Sequence, residues 1–250
     1  MEVKILGNQS PFQLNGKKGV GYLVRTEDGS FVLDAGSGSH SNLDVADYEN
    51  LKLVISHGHH DHIADMRSIL YTAVQMRKKK VIVPQISIYL PEQYEHELEN
   101  KSIERGVIAK DVAKIYRYSG NDNLWFNNGR TCLMFRKTKH SKDSYAMKVK
   151  NHDAALGYTG DIRPDDVELC ANFFKNADAI ISECTIPQKD EPHFRHIQPY
   201  DCAELKNISG AKKMYLSHLD PLEPEQNYLD SCLERTDNAH IAEENLHFCM

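Results

Sequence analysis

The stretch Ser56–His62, SHGHHDH, puts four histidines and an aspartate into seven residues. The chain holds 13 histidines. At that composition the pattern His-x-His-x-Asp-His arises by chance in roughly three chains per thousand. It constrains the fold because one short segment cannot complete what it begins. On an extended segment residues i and i+2 face the same side, so His57 and His59 can share one ion while His60 points away. Asp61 and His62 come where the chain turns into a helix, which aims them at a second position. Each position is then short of ligands, and the rest must come from strands far away in sequence.

The surrounding pattern supplies such strands. Leu51–Ile55 is a compact apolar run, read as a buried strand that ends at the cluster. Val3–Leu6, Val20–Arg25 and Phe31–Asp34 read as earlier strands, with Glu27-Asp28-Gly29 as a turn. Ile63, Met66, Ile69, Leu70 and Ala73 recur at helical spacing, closed by the basic run Arg77–Lys80. Val81–Val83 reads as another buried strand stopped by Pro84. Residues 84–130 read as an insertion of mixed helix and loop. Three strands follow in quick succession, Thr131–Thr138, Tyr145–Val149 and Ala154–Tyr158. Helices and strands then alternate: a helix to Asn176, Ala179–Ser182, Tyr200–Ile208, Met214–Leu216 and a helix from about Glu223. That order predicts one α/β domain over residues 1–250, with two sheets and helices outside.

Three candidate partners sit where strands end. His140 follows Thr131–Thr138, Asp161 follows Ala154–Tyr158, and His218 follows Met214–Leu216. Added to the cluster they give five histidines and two aspartates, the composition expected of a two-metal hydrolase. The imidazole-rich set suits zinc, with manganese as the alternative.

These residues, in this order along most of the chain, resemble the metallo-β-lactamase fold superfamily. The resemblance implies a four-layer αββα sandwich. It also implies His57, His59 and His140 on one metal, Asp61, His62 and His218 on the other, and Asp161 bridging them. Three further stretches resemble the ribonuclease Z-like phosphodiesterase branch: HSKDSY with His140 and Tyr145, ISECT (Ile181–Thr185), and RHIQP (Arg195–Pro199). His196 in the last is the candidate to contact a phosphate or protonate a leaving oxygen, while Asp61 orients the attacking water.

The branch is also marked by what is missing. Ribonuclease Z carries an arm for the tRNA body between its third metal histidine and bridging aspartate. Here His140 and Asp161 are 161 − 140 = 21 residues apart, room for two strands and no arm. Tyr158 stands where the branch has a glutamate. The net charge of −6 also disfavours a grip on long polyanions, which calls for a basic face. The chain therefore most resembles the phage and bacterial nucleases that degrade cyclic mononucleotides, including those that defeat Pycsar immunity. That resemblance implies a homodimer, with residues 84–130 as the segment shaping the pocket. Its Tyr89, Tyr94, Tyr116, Tyr118 and Trp125 are candidates for base stacking or for core packing. Lys137, Lys139 and Lys142 around His140 serve either as phosphate neutralisers or as plain surface residues. A tRNA 3′ endonuclease and a lactonase- or thioesterase-type hydrolase are the alternatives.

Six cysteines without a C-x-x-C pair read as reduced thiols. No apolar run approaches the roughly 18 residues of a membrane span, and the N-terminus does not read as a signal peptide. The expectation is a soluble cytoplasmic protein with a small nucleotide as its partner and no stable nucleic-acid complex.

Overall fold

The computed structural model describes residues 1–94, 98, 100–120, 122–126, 129–189 and 193–250. Its first half forms β1 (Glu2–Gly7), β2 (Gly21–Thr26), β3 (Gly29–Leu33), β4 (Leu51–Val54), the short helix α1 (His60–Ile63), α2 (Met66–Lys78) and β5 (Ile86–Pro91). A two-stranded hairpin, β6 (Ser102–Glu104) and β7 (Val107–Ile108), precedes β8 (Ala113–Tyr118). The second half forms β9 (Asn123–Phe126), β10 (Thr131–Lys137), β11 (Tyr145–Lys150), β12 (Ala155–Tyr158), α3 (Val167–Phe173), β13 (Ala179–Glu183) and α4 (Pro199–Ser209). It closes with β14 (Lys213–Ser217), α5 (Glu225–Leu233), β15 (Ala239–Ile241) and β16 (His247–Cys249).

Two seven-stranded sheets result, ordered β16-β1-β2-β3-β4-β5-β8 and β15-β14-β13-β12-β11-β10-β9. Successive side chains alternate across each strand, so both faces of these sheets are buried in different cores. Tyr22 and Val24 of β2 and Phe31 and Leu33 of β3 face the core between the sheets. Leu23 and Val32, one residue out of step, face α2 instead. The second sheet does the same: Tyr215 points into the inter-sheet core, while Met214 and Leu216 point at the layer of α3, α4 and α5. The layers are thus α-β-β-α, the four-layer sandwich that the resemblance implied. Truncating one of the fully buried leucines, Leu53 for instance, should cost about 2–5 kcal/mol.

Helix α2 follows from its apolar spacing. Met66, Ile69, Leu70, Ala73 and Val74 lie at i, i+3, i+4, i+7 and i+8 and are all buried. It ends where Lys80 takes a left-handed φ of 57°. The strand expected at Val81–Val83 does not form. Val81 and Val83 are 54% and 75% exposed, and the strand starts at Ile86. Three apolar residues between a helix end and Pro84 are too few to pair, and only Ile82 packs against the core.

Residues 84–130 also differ from the expected helix and loop. They supply β5 and β8 to the first sheet and β9 to the second. The stretches 95–97, 121 and 127–128, with residue 99, lie outside the described residues. The pattern was hard to read because β8 is an edge strand carrying Lys114 and Arg117 among its apolar residues. Among the described residues no helix is long and apolar enough to cross a membrane.

The topology gathers the site at one rim. β3, β4, β5 and β8 run parallel, as do β12, β13, β14 and β15. β10 is antiparallel to β11, which is antiparallel to β12, so β10 and β12 point the same way. The C-terminal ends of β3, β4, β10, β12, β13 and β14 therefore open on one edge, where open α/β sheets place their sites.

Candidate metal centre

All seven residues expected to hold metal meet at that rim. His57, His59, His140 and Asp161 form one group of donor atoms, and Asp61, His62 and His218 another, each within 4.8 Å. His196 joins Asp161 and His218 in a third overlapping group. His60 is exposed, on the outward side of α1.

Asp161 lies between the first two groups with one oxygen toward each. Its Oδ2 is 3.6 Å from His57 Nε2 and 3.5 Å from His140 Nε2. Its Oδ1 is 3.2 Å from His62 Nε2 and 3.1 Å from His218 Nε2. Asp61 Oδ2 completes the second group at 3.4 Å from His218 Nε2. His59 turns Nδ1 inward, 3.2 Å from His140 Nε2.

The outward nitrogens are anchored. His62 Nδ1 donates to Asp34 Oδ2 at 2.7 Å. His140 Nδ1 donates to the Arg195 carbonyl at 3.1 Å. Thr185 Oγ1 donates to Glu183 Oε2, and so accepts from His218 Nδ1 at 2.6 Å. Ser56 Oγ donates to Asp34 Oδ2 and accepts from His57 Nδ1 at 3.0 Å. Such bonds fix tautomer and ring orientation, leaving Nε2 as the inward lone pair.

The donor set fits divalent cations. Nε2 of His62 and Nε2 of His218 lie 3.1 Å apart, and the carboxylates add negative charge. His57 Nε2 in the first group and Asp161 Oδ1 toward the second are each buried without a hydrogen-bond partner, which is costly unless something positive serves each of them. The electrostatics of the pocket agree. Burial opposes a charge on His62, yet Asp161 and Asp34 outweigh it and push the imidazole well above its ordinary 6.5. Burial also opposes ionisation of Asp161, but His218, His62 and His57 hold its carboxyl well below the usual range. The pocket calls for positive charge.

A protein-family model described as "Anti-Pycsar protein Apyc1" matches residues 1–245. The chain belongs to the anti-Pycsar Apyc1 family. It is 27% identical over 228 residues to the "Probable metallo-hydrolase YhfI" of Bacillus subtilis (strain 168), covering 88% of this chain and 87% of that one. The crystal structure of the metallo-beta-lactamase fold protein YhfI from Bacillus subtilis superposes with a TM-score of 0.83 at 24% identity, covering 99% of each chain. Human tRNase Z, short form (ELAC1), superposes with a TM-score of 0.68 at 19% identity, covering 100% and 99%. Family, fold and donor groups together support a metal-dependent hydrolase.

Sequence reasoning passed over the residues that brace this Apyc1-family site. Asp34 accepts from Ser56 N, Ser56 Oγ, His62 Nδ1 and the Tyr158 hydroxyl. It and His218 hold left-handed φ values of 59° and 57°, a backbone conformation that is uncommon for non-glycine residues. Tyr158, at the position of the branch's glutamate, thus touches Asp34. Asp143 Oδ2 accepts from Gly58 N at 2.9 Å, tying the His140 loop to the backbone between His57 and His59. A Cβ at Gly58 would meet that same oxygen at 2.9 Å, so a larger residue would have to displace the Asp143 carboxylate. The signals available were Asp34 at a strand end and the Glu and Thr inside ISECT.

The segment residues divide. Tyr89, Tyr94 and Tyr118 are buried, whereas Tyr116 and Trp125 are exposed. Lys139 pairs with Asp165 at 3.0 Å, and Lys137 donates to the Lys142 carbonyl. The cysteines are free, with Cys249 exposed and the other five buried.

Proposed function

We propose that this chain is a phosphodiesterase that hydrolyses small cyclic mononucleotides with two divalent ions, zinc by preference, which Asp161 and the two donor groups would hold. The reading rests on the observation that His196 stands against the donor groups with its own carboxylate. Its Nδ1 donates to Glu183 Oε2 at 2.9 Å and lies 3.9 Å from Asp161 Oδ2. Burial lowers the basicity of the imidazole, but Glu183 outweighs burial and raises its pKa to about 9. An imidazole whose Nδ1 is held by Glu183 beside the donor groups is placed to serve an anionic phosphate with a poor leaving oxygen better than a neutral lactone or thioester.

When bound, the divalent ions supply Lewis acidity and a water that ionises near neutral pH. Asp61, steadied by a hydrogen bond from Ser10 Oγ, orients the attacking water. As the bond from phosphorus to the ribose oxygen breaks, His196 gives that oxygen its proton through Nε2, because Nδ1 is committed to Glu183. The product is a nucleoside monophosphate.

A small substrate is favoured by the segment between His140 and Asp161. β11 and β12 occupy it, and no length remains for an arm that would hold a tRNA body. The test is a rate comparison with added zinc or manganese across cAMP, cGMP, cCMP, cUMP, pre-tRNA, a lactone and a thioester. Cyclic mononucleotides should be cut fastest. Faster pre-tRNA cleavage per enzyme, or turnover of the carbonyl substrates alone, would overturn the reading.

A further inference from the structure

A cavity of about 330 Å³ opens beside the first donor group, lined by His59, His140, Arg163, Phe194 and Arg195. Two of its walls are thus candidate metal ligands, and the other three residues have no part in the chemistry described above. The Phe194 ring is 66% exposed. A single exposed phenylalanine is ordinary on a protein surface, but this one shares a cavity with His59 and His140. The His193 ring stacks on it at 5.3 Å, and the Arg195 guanidinium lies 5.4 Å from its centroid. The backbone holds the ring near the site. The Arg195 carbonyl takes the hydrogen bond from His140 Nδ1, and His196 follows directly.

Arg163, two residues after Asp161, also lines the cavity. Its Nε is buried without a hydrogen-bond partner, 3.3 Å from Asp165 Oδ1. The cavity is therefore lined by an exposed aromatic ring and two arginines, whose guanidinium groups only donate hydrogen bonds. A flat ring with acceptor atoms on its edge matches that lining, and every nucleobase is such a ring.

The geometry points to this cavity as the base subsite: Phe194 stacks the nucleobase of a substrate whose phosphate lies on the donor groups, and Arg163 and Arg195 donate to the base edge. This rests on the phosphodiesterase reading and adds where the nucleoside goes. Stacking is tolerant of base identity, because every base has a π face. The subsite therefore accepts purines and pyrimidines alike, and it acts on binding rather than on the bond-breaking step.

The test compares Phe194→Ala with the unaltered protein on the four cyclic mononucleotides and on base-less ribose 3′,5′-cyclic phosphate. Losing the stacking face should raise KM for all four nucleotides on the order of 10- to 100-fold. It should leave kcat within about two-fold and leave the base-less substrate untouched. Phe194→Trp should restore KM. Saturation-transfer NMR on metal-stripped protein should detect guanosine binding to the parent and not to Phe194→Ala, a readout independent of turnover. Equal losses on nucleotide and base-less substrates would mean that Phe194 only shapes the loop carrying His196, and would overturn the subsite. An unchanged KM would overturn it too, while leaving the phosphodiesterase reading standing. If the unaltered protein cuts no cyclic mononucleotide yet hydrolyses another ester, that reading falls and the subsite falls with it.

Discussion

His62 Nδ1 donates to Asp34 Oδ2 at 2.7 Å, with both side chains fully buried. The bond sets which nitrogen of His62 faces the donor group, and the same carboxylate also takes Ser56 and Tyr158. Asp34→Ala should therefore weaken metal binding about 10- to 100-fold, the usual worth of a partner that orients a ligand. Chelator competition measures this directly. An unchanged affinity would show that His62 keeps its orientation without Asp34.

Metal content should approach two ions per chain, and Asp161→Ala should lower it and abolish hydrolysis while the fold survives. Because the donor groups form only in the folded chain, stripping the ions should lower thermal stability. The shift is about 2.7 kcal/mol when the free ion stands at 100 times its Kd. Elemental analysis and a melting curve with and without chelator check both halves. An active preparation free of metal would end the two-ion mechanism.

His196→Ala should keep its metal, since His196 is not among the seven residues assigned as ligands. Turnover should fall on the order of 10²–10⁴-fold, the usual contribution of a positioned acid–base group. A nitrophenolate leaving group needs no proton, so the loss should shrink on nitrophenyl phosphodiesters. Equal losses on both substrates would assign His196 to phosphate binding alone, and no loss on either would make it structural.

Away from the site, Asp47 is 2% exposed and accepts from Arg25 Nε at 2.8 Å, Ser30 Oγ at 3.0 Å and Asp44 N at 2.9 Å. Burial opposes its charge, but these bonds and the Arg25 charge outweigh burial and lower its pKa below the ordinary 3.8. A depressed folded pKa contributes stability that is present above about 3.8 and lost as pH falls through the lower folded value. Asp47→Asn should thus cost about 1.5–3 kcal/mol at pH 7, with the gap from the parent closing below pH 3.8. Urea unfolding at both pH values measures it. A gap independent of pH would mean that shape rather than charge matters at this position.

The site was legible where chemistry is written in residue type and spacing. SHGHHDH, with His140, Asp161 and His218 at strand ends, singled out residues whose donor atoms the fold brings together, because few residues bind metal and few spacings bring them together. The layers were legible where two-residue or helical periodicity was strong, as in β4, α2 and β14. Periodicity failed in residues 84–130, where edge strands carry charge and their apolar signal thins. It also misled at Val81–Val83, where hydrophobicity without room to pair does not make a strand.

The sequence by itself singled out the seven candidate donors that meet at the rim, the order of the strands that carry them and the short span between His140 and Asp161, because these are properties of composition and distance along the chain. Only the tertiary structure decided which nitrogen of each histidine faces inward, that Asp34 and Glu183 brace the site, and that Phe194 and Arg163 share a cavity. Asp34 and His62 are 28 positions apart, and Arg163 and Phe194 are 31 apart. Their meeting depends on how two sheets close against each other, through contacts that leave no periodic trace in the chain.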